Sequence, residues 1–483
     1  MSDRRSSGTA AVADPRGRIP APGLIGLAGI AALVFGALLP TEPLLALGLL
    51  ALLPLALGAP VTSLGALLFV TTMVPSYYQN RFSLVGGEDV PGLLMVDLLL
   101  LAALCRVGVL VLSGRLKARA PLLLAGALGL LLAAALAGGI ASGADVSEAG
   151  HEARRVALGV GAFLVAWPIV GDPAARRRLY WVLLALGLGI GAVGIAQWLF
   201  SVDFASAGDS GVRPGVDETS GGRGQLQYAL YAYPVAVTLS YTALVSGRIR
   251  SLEARWLLGA IFLLNAVALL LTFERTFWAA TAVACGVATL ASGGQARQTA
   301  ARWVPLGAVV LLITLAGMGE LRTAAERLAS VADYSTDVSL EHRRVETRAV
   351  LEEIKDHPLT GSGFGSTITW GVEDVFAFQT STYAHNGYLW LAWKTGLPTA
   401  ALIVLLIALA AFWPRPGPRD THLAILRTGS QAALFGLLLT CVTFPAFNTY
   451  GITAVMGLMV AVCLQRDPSP PPGRGDTRGP TQG

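Results

Sequence analysis

The chain has 483 residues, of which 54% are hydrophobic and only 13% are charged, and its mean hydropathy is +0.62. Soluble globular proteins carry about 25% charged residues. Apolar runs long enough to cross a hydrocarbon core of about 30 Å recur from Gly23 to Leu464. This composition excludes a soluble enzyme, a nucleic-acid-binding domain, a secreted disulfide scaffold and a single-pass anchor.

The apolar runs predict an all-α polytopic membrane protein with about 12–14 transmembrane helices. The second and third runs are separated only by Gly58-Ala59-Pro60, so they form either two spans or a hairpin that does not fully cross. The predicted spans are residues 23–39, 43–58, 61–75, 92–112, 121–140, 154–170, 179–200, 226–245, 256–273, 275–291, 303–319, 384–412, 430–445 and 449–464.

Loop charge sets the predicted orientation. Most of the 35 Lys and Arg residues fall in alternate loops that also hold few acids, and positive loops stay in the cytoplasm. Both termini are therefore predicted to be cytoplasmic. The resulting division of the chain is a cytoplasmic tail at 1–22, eleven spans over 23–319 with an outer loop at about 201–225, a large extracytoplasmic loop at 320–383, C-terminal spans over 384–464 and a disordered cytoplasmic tail at 465–483.

The large outer loop, residues 320–383, contains a predicted amphipathic helix from Val338 to His357. Its apolar side chains share one face, which is typical of a helix packed on a core. That face comprises Val345, Val350, Leu351 and Ile354. Pro358 ends the helix, and the glycine-rich residues 361–365 that follow are predicted to form a flexible turn.

Several arginines at the outer side are candidates for binding an anion. Arg275 lies between two apolar runs with almost no loop, and Arg223 opens a helix whose backbone N–H groups also suit phosphate. Arg343 and Arg344 lie on the loop helix. The alternatives are a snorkelling Arg275 paired with Glu274, headgroup contact at Arg223, and helical ion pairs for the other two.

His385, followed by Asn386, lies where the large outer loop re-enters the membrane. Histidine is the side chain best suited to proton transfer near neutral pH. The alternative is a histidine that merely hydrogen-bonds Asn386 or Tyr383 at the interface. Asp97, an isolated acid within a predicted span, is a weaker candidate for a proton relay.

Some common catalytic patterns are missing from the sequence. The glycine run at 361–365 lacks the Gly-Lys-Ser/Thr continuation of a nucleotide-binding loop, and no outer loop has an Asp-x-Asp pair for a divalent cation. We therefore predict no metal and no cofactor. Arginines and one histidine suit a reaction whose leaving group is a stable anion such as pyrophosphate.

These residues resemble the O-antigen ligase family, which includes the Wzy-type O-antigen and exopolysaccharide polymerases. His385-Asn386, nine residues, Gly396, two residues and Thr399 are similar to the family's His-[Asn/Ser/Gln]-x9-Gly-x2-[Gly/Thr/Tyr] signature. Residues 343–365, ending in HPLTGSGFG, resemble its Arg…HPLxGxGxG stretch. Glu274-Arg275-Thr276 stands where the family usually has Ser-Arg-Gly, and Thr347 where an aromatic residue is common.

The resemblance implies a GT-C-like helical bundle and a metal-independent glycosyltransferase at the outer face of the bacterial cytoplasmic membrane. The donor would be a glycan on undecaprenyl pyrophosphate and the acceptor a glycan or a lipid core, with other envelope-polysaccharide assembly proteins as further partners. It implies His385 as the base, Arg275 and Arg223 on the pyrophosphate, and Arg343 as an assistant. We also predict that Arg344 and Asn386 bind substrate.

Two other functions stay open from the sequence. Helix count and Asp97 suit a secondary transporter of a small polar solute, although transporters usually place their polar groups at the membrane midplane within internal repeats. A structural scaffold for envelope assembly is the third hypothesis. Within the leading hypothesis, ligase and polymerase differ only in the acceptor.

Overall fold

The computed structural model describes part of the chain. The described residues are 60–73, 95–114, 116, 119–200, 231–272, 274–317, 319, 321–322, 325, 338–372, 377–413, 418 and 420–466. The N-terminal tail, the first two predicted spans, the outer loop at 201–225 and the tail beyond residue 466 lie outside these residues.

Within the described residues the fold is a helical bundle with one small β-hairpin, which confirms the predicted all-α polytopic architecture. We number the helices in chain order. They are α1 Pro60–Met73, α2 Met95–Leu112, α3 Arg119–Ala141, α4 Val146–Gly171, α5 Pro173–Phe200, α6 Ala232–Val245, α7 Leu252–Leu271, α8 Arg275–Ala291, α9 Gly294–Gly317, α10 Val338–Asp356, α11 Gly387–Thr395, α12 Leu397–Phe412, α13 Thr421–Thr440 and α14 Tyr450–Leu464.

Six of these helices are long and apolar enough to cross a membrane, and five shorter ones are also apolar. Each lies within or close to a predicted span, because runs of Leu, Ala and Val leave few alternatives to a membrane helix. The surfaces of α3 and α9 carry many exposed leucines, valines and isoleucines, as expected of helices that face lipid. The bundle is centred on α4, which packs along α14.

The predicted single span at 384–412 is wrong in one respect. The segment forms two helices, α11 and α12, separated by Gly396. Gly396 has φ +79°, a left-handed conformation that favours glycine, and a Cβ there would lie 2.1 Å from the carbonyl oxygen of Leu359. The chain breaks at this point because the outer loop packs directly against its backbone.

The outer loop contains the predicted amphipathic helix as α10, followed by a hairpin of β1 (Ile368–Val372) and β2 (Ala377–Ser381). The strands are antiparallel, with Ile368 paired with Ser381. Val350 and Ile354 of α10 are buried as predicted, whereas Leu351 is 40% exposed, so its assignment to the buried face is wrong. Helix α10 packs against β1 and α11, which fixes the loop on the bundle.

The glycine turn, residues 361–365, is tightly packed, and the prediction of a flexible turn is wrong. Gly361, Gly363 and Gly365 all have positive φ, and a Cβ on any of them would overlap neighbouring backbone. The turn inserts between α3, α4 and α11. Its closest approach is to α3, where a Cβ on Gly139 would lie 2.0 Å from the Phe364 carbonyl oxygen. Glycine is required at these contact positions because the backbones touch.

Candidate functional site

The candidate site centres on His385, which lies one residue before the cap of α11. Its backbone N–H donates to Oε1 of Glu346 at 2.5 Å, and its Nδ1 lies 2.7 Å from Oε2 of the same carboxylate. The Glu346 side chain is 6% exposed and that of His385 is 40% exposed. An ionised carboxylate can only accept, so Nδ1 carries the hydrogen, and in the neutral imidazole Nε2 then has the free lone pair. We call these two residues the His–Glu dyad.

Asn386 fixes the backbone next to His385 by capping helix α11. Its Oδ1 accepts hydrogen bonds from the backbone N–H groups of Tyr388 and Leu389, both at 3.0 Å, so it is the N-cap of α11. The N–H of Gly387 donates to the carbonyl of Cys441 at 2.7 Å. Asn386, predicted to bind substrate, thus has a capping role, and His385 bonds Glu346 rather than this amide.

Arg275 is the first residue of α8, at a helix N-terminus that favours anions. The next residue, Thr276, accepts a hydrogen bond from Thr443 at 3.0 Å, and Phe277 packs edge-on against Phe444 with ring centroids 5.3 Å apart. Thr443 and Phe444 belong to the turn that follows α13. Cys441, whose carbonyl accepts the hydrogen bond from the Gly387 N–H, lies in the same turn. The starts of α8 and α11, which follow Glu274 and His385 in the chain, therefore contact one segment.

Tyr383 links the dyad to the charges around it. Its ring contacts the His385 imidazole edge-on, with centroids 5.0 Å apart at 87°. Burial raises the pKa of the Tyr383 phenol, and the Glu346 carboxylate raises it further, whereas the Arg343 guanidinium lowers it. Glu274 also acts on this phenol. Charged groups from the start of α8 and from α10 thus both influence this one hydroxyl.

Arg275 and Arg343 have no acidic partner within the described part of the chain. Arg275 forms no ion pair there, so its predicted alternative pairing with Glu274 is not seen. Arg343 also lacks one, and its buried Nε has no hydrogen-bond partner. Arg344 is exposed, and Arg223 lies outside the described residues. The half-buried Arg275 and Arg343 can therefore attract an anion to the dyad.

Asp97, the candidate for a proton relay, is not isolated. Its carboxylate lies 3.3 Å from Nε of Arg154 on α4, and both side chains are mostly buried. A paired carboxylate in the first turn of α2 has a sufficient structural role. This removes the main polar feature that suggested a transporter.

Glu346 is the most important residue missed in the sequence. The surrounding arginines and glutamates of α10 suggested ordinary ion pairs along a solvated helix face. A signal was present nonetheless, because Glu346 is spaced four residues from Val350, which is four residues from Ile354. An acid in line with the buried apolar residues of an amphipathic helix requires a partner in the core.

A second polar cluster was also missed. Glu152 of α4 and Lys394 of α11 form an ion pair of 2.9 Å, and both side chains are fully buried. The same Glu152 oxygen accepts from the N–H of Gly365 at 2.6 Å, and the Lys394 ammonium donates to the carbonyl of Ser366 at 2.6 Å. Lys394 also lies 3.9 Å from the centre of the Trp393 ring. We call these groups the Glu152–Lys394 cluster.

In the described ranges, no three or more His, Cys, Asp or Glu side chains group together in a way that could hold a metal ion. The polar groups at the site are instead one imidazole, its carboxylate and guanidinium groups. Their chemistry is proton acceptance and the stabilisation of negative charge.

Comparison with known proteins gives one family. Residues 260–404 match the family described as O-Antigen ligase, which confirms the resemblance noted in the sequence. The matched segment contains Arg275, Arg343, Glu346 and His385, whereas Glu152 lies outside it. No curated protein matches the chain.

Proposed function

We propose that this multi-pass membrane chain is a glycan ligase or polymerase whose His–Glu dyad catalyses glycan transfer from an undecaprenyl-pyrophosphate donor, and the match of residues 260–404 to the O-antigen ligase family supports this. The acceptor is a hydroxyl group of a lipid core or of another lipid-linked glycan. The reaction takes place at the outer face of the cytoplasmic membrane, with both termini in the cytoplasm.

The observation that carries the proposal is the pair of hydrogen bonds between His385 and Glu346. A buried carboxylate that holds Nδ1–H orients the ring and stabilises the imidazolium that forms when Nε2 takes a proton. The imidazole is also 40% exposed, so an acceptor can reach it. This arrangement supports a general base rather than a histidine satisfied at an interface.

The arginines supply the second requirement, which is charge stabilisation of the leaving group. Arg275 combines a guanidinium with the N-terminus of α8, and both favour phosphoryl oxygens. Arg343 of α10 influences Tyr383, whose ring contacts the His385 imidazole, and this supports a role for Arg343 near the dyad. Arg223 and Arg344 are proposed as further contacts of the donor headgroup.

The proposed step is a displacement at the anomeric carbon. Nε2 of His385 accepts the proton of the acceptor hydroxyl, and the oxygen of that hydroxyl forms a bond to the anomeric carbon. The bond from the carbon to the pyrophosphate oxygen breaks, and undecaprenyl pyrophosphate leaves with the electron pair. The imidazolium then returns its proton to the departing diphosphate or to water, so protons and charge balance without a further reactant.

Alanine and asparagine variants of His385 test the base. His385→Asn keeps a donor for Glu346 and removes the basic nitrogen, so transfer from a purified lipid-linked glycan should be abolished while membrane expression and helicity persist. His342→Ala is the matched control, because this histidine is exposed on α10. Near-normal transfer by His385→Asn and His385→Ala would refute the assignment of the base.

The products separate the two acceptor classes. If the chain is a polymerase, loss of its activity leaves single repeat units on the lipid carrier. If it is a ligase, full-length lipid-linked polymer accumulates instead. Gel analysis of the lipid-linked glycans in a deletion strain distinguishes these outcomes.

A further inference from the structure

We propose that the Glu152–Lys394 cluster is a positioning device that sets the geometry of the His–Glu dyad from the far end of α11. The inference rests on the proposed function for its catalytic meaning. Neither Glu152 nor Lys394 is proposed to touch the substrate, and Glu152 lies outside the matched domain.

The first argument is that the cluster anchors the helix that carries His385. Helix α11 has nine residues and is about 13 Å long. Its N-terminus is capped by Asn386 next to His385, and Lys394 lies in its last turn. Because a short helix moves as a rigid rod, fixing Lys394 against α4 fixes how far His385 projects toward Glu346.

The second argument is that the same cluster anchors the outer loop, which carries Glu346. Gly365 donates to Glu152, and Ser366 accepts from Lys394. Two residues later β1 begins, and β1 packs against α10, where Glu346 lies. Both partners of the dyad are thus attached to one buried ion pair, one through α11 and the other through β1 and α10.

The third argument is the cost of this arrangement. Burial of two charges requires desolvation, and an apolar pair of similar size often stabilises a fold equally well. Oε1 of Glu152 even lacks a hydrogen-bond partner among the described residues. A charged pair differs from an apolar pair because its hydrogen bonds are directional. They define the relative placement of the loop, α4 and α11, which contacts between methyl groups do not.

The test uses the full-length protein with Glu152→Gln and Lys394→Met combined. The double variant leaves no unpaired buried charge, and Gln keeps an oxygen for the Gly365 N–H. The combined Arg176→Met and Asp420→Asn variant is the matched control, because it removes another ion pair that contains a buried arginine. Arg176 lies at the start of α5, just beyond the end of α4 that is opposite to Glu152. Asp420 is also the N-cap of α13, so helicity is checked in both variants.

The main readout is the ¹⁵N spectrum of histidine-labelled protein, which contains only five histidines. In the parent and the control, His385 should show the Nδ1–H tautomer alone. In the Glu152–Lys394 double variant the tautomers should mix, and transfer should fall about 10- to 100-fold at unchanged half-saturation by donor. An unchanged His385 spectrum in the folded double variant would overturn the proposal, whether or not the protein is a transferase.

Hydrogen exchange on the parent protein provides a second measurement that needs no variant. If the cluster is rigid, the Gly365 amide should exchange as slowly as the amides of α11. Fast exchange at Gly365 beside slow exchange in α11 would show that the loop is not held, and would overturn the proposal even if the double variant failed to fold.

Discussion

The carboxylate of Glu346 accepts two hydrogen bonds from His385, one from the backbone N–H and one from the imidazole Nδ1. One acid on the outer loop therefore fixes both the position of the main chain and the tautomer of the ring. The remaining nitrogen, Nε2, is left for the acceptor. In the mechanism that we propose, this relationship makes a loop histidine a directed base.

Replacing Glu346 by glutamine should lower transfer about 10- to 100-fold, because a hydrogen bond to a charged partner contributes about 1.5–3 kcal/mol. Glutamine has almost the same shape, so the fold should persist. Glu352→Gln, at an exposed position on the same helix, should leave the rate unchanged. Initial rates of glycan transfer by both variants measure this, and equal rates would argue against the dyad.

Replacing Arg275 by alanine should reduce the rate of transfer about 100- to 1,000-fold, because this is the usual effect on an enzyme of removing one group that stabilises a developing anion. Arg275→Lys should recover only part of the loss, because lysine keeps the charge but not the bidentate fork. Rates at saturating donor distinguish these variants. Full activity in Arg275→Lys would mean that a point charge suffices.

Replacing Arg343 by alanine should mainly raise the donor concentration needed for half-saturation, by about tenfold, because a charge-assisted contact to the pyrophosphate is lost. Arg348→Ala is the control, since this arginine is exposed on the same helix. Titration with donor measures the change. A similar shift in both variants would show that α10 acts only through its overall charge.

Replacing Gly139 by alanine should destabilise the protein by at least about 1–3 kcal/mol, because the new methyl group would overlap the Phe364 carbonyl. The adjacent Gly138 has open space around its Cβ position, so Gly138→Ala should be neutral or stabilising by up to about 1 kcal/mol. Thermal unfolding in detergent measures both. Equal stability of the two variants would contradict the packing of the glycine turn.

Tyr383 predicts a pH effect. Its pKa is raised from the ordinary value of 10.0 in the folded protein, so the unfolded chain loses this proton first as pH rises. Stability therefore falls above about pH 10, as ionisation favours the unfolded state. Tyr383→Phe should lose less stability over that range than the parent. Denaturant midpoints at neutral and alkaline pH check this, and identical losses would exclude a buried phenol.

Hydropathy was sufficient to locate the described helices, because a membrane span requires an apolar run and allows little else. The amphipathic pattern likewise placed α10 within one residue of its end. Hydropathy could not reveal the break at Gly396, since both flanking sequences are apolar. That break follows from contact with Leu359, which only the folded loop creates.

The site was predicted in part. His385 and Arg275 stood out because charge and imidazole are rare near apolar runs. Glu346, the partner of His385, did not stand out, because it resembles the other charged residues of α10. The hydrogen bond from Gly365 to Glu152 joins residues 213 positions apart. No local pattern in one sequence encodes such a pairing.

The inserted glycine turn has a consequence for engineering acceptor preference. The outer loop is seated on α3 and α4 through backbone-to-backbone contacts and cannot be transplanted as a free module. A chimaera that exchanged only residues 320–383 would bring a foreign turn against Gly139 and a foreign partner against Glu152. A functional exchange would have to carry the facing turns of α3, α4 and α11 along with the loop.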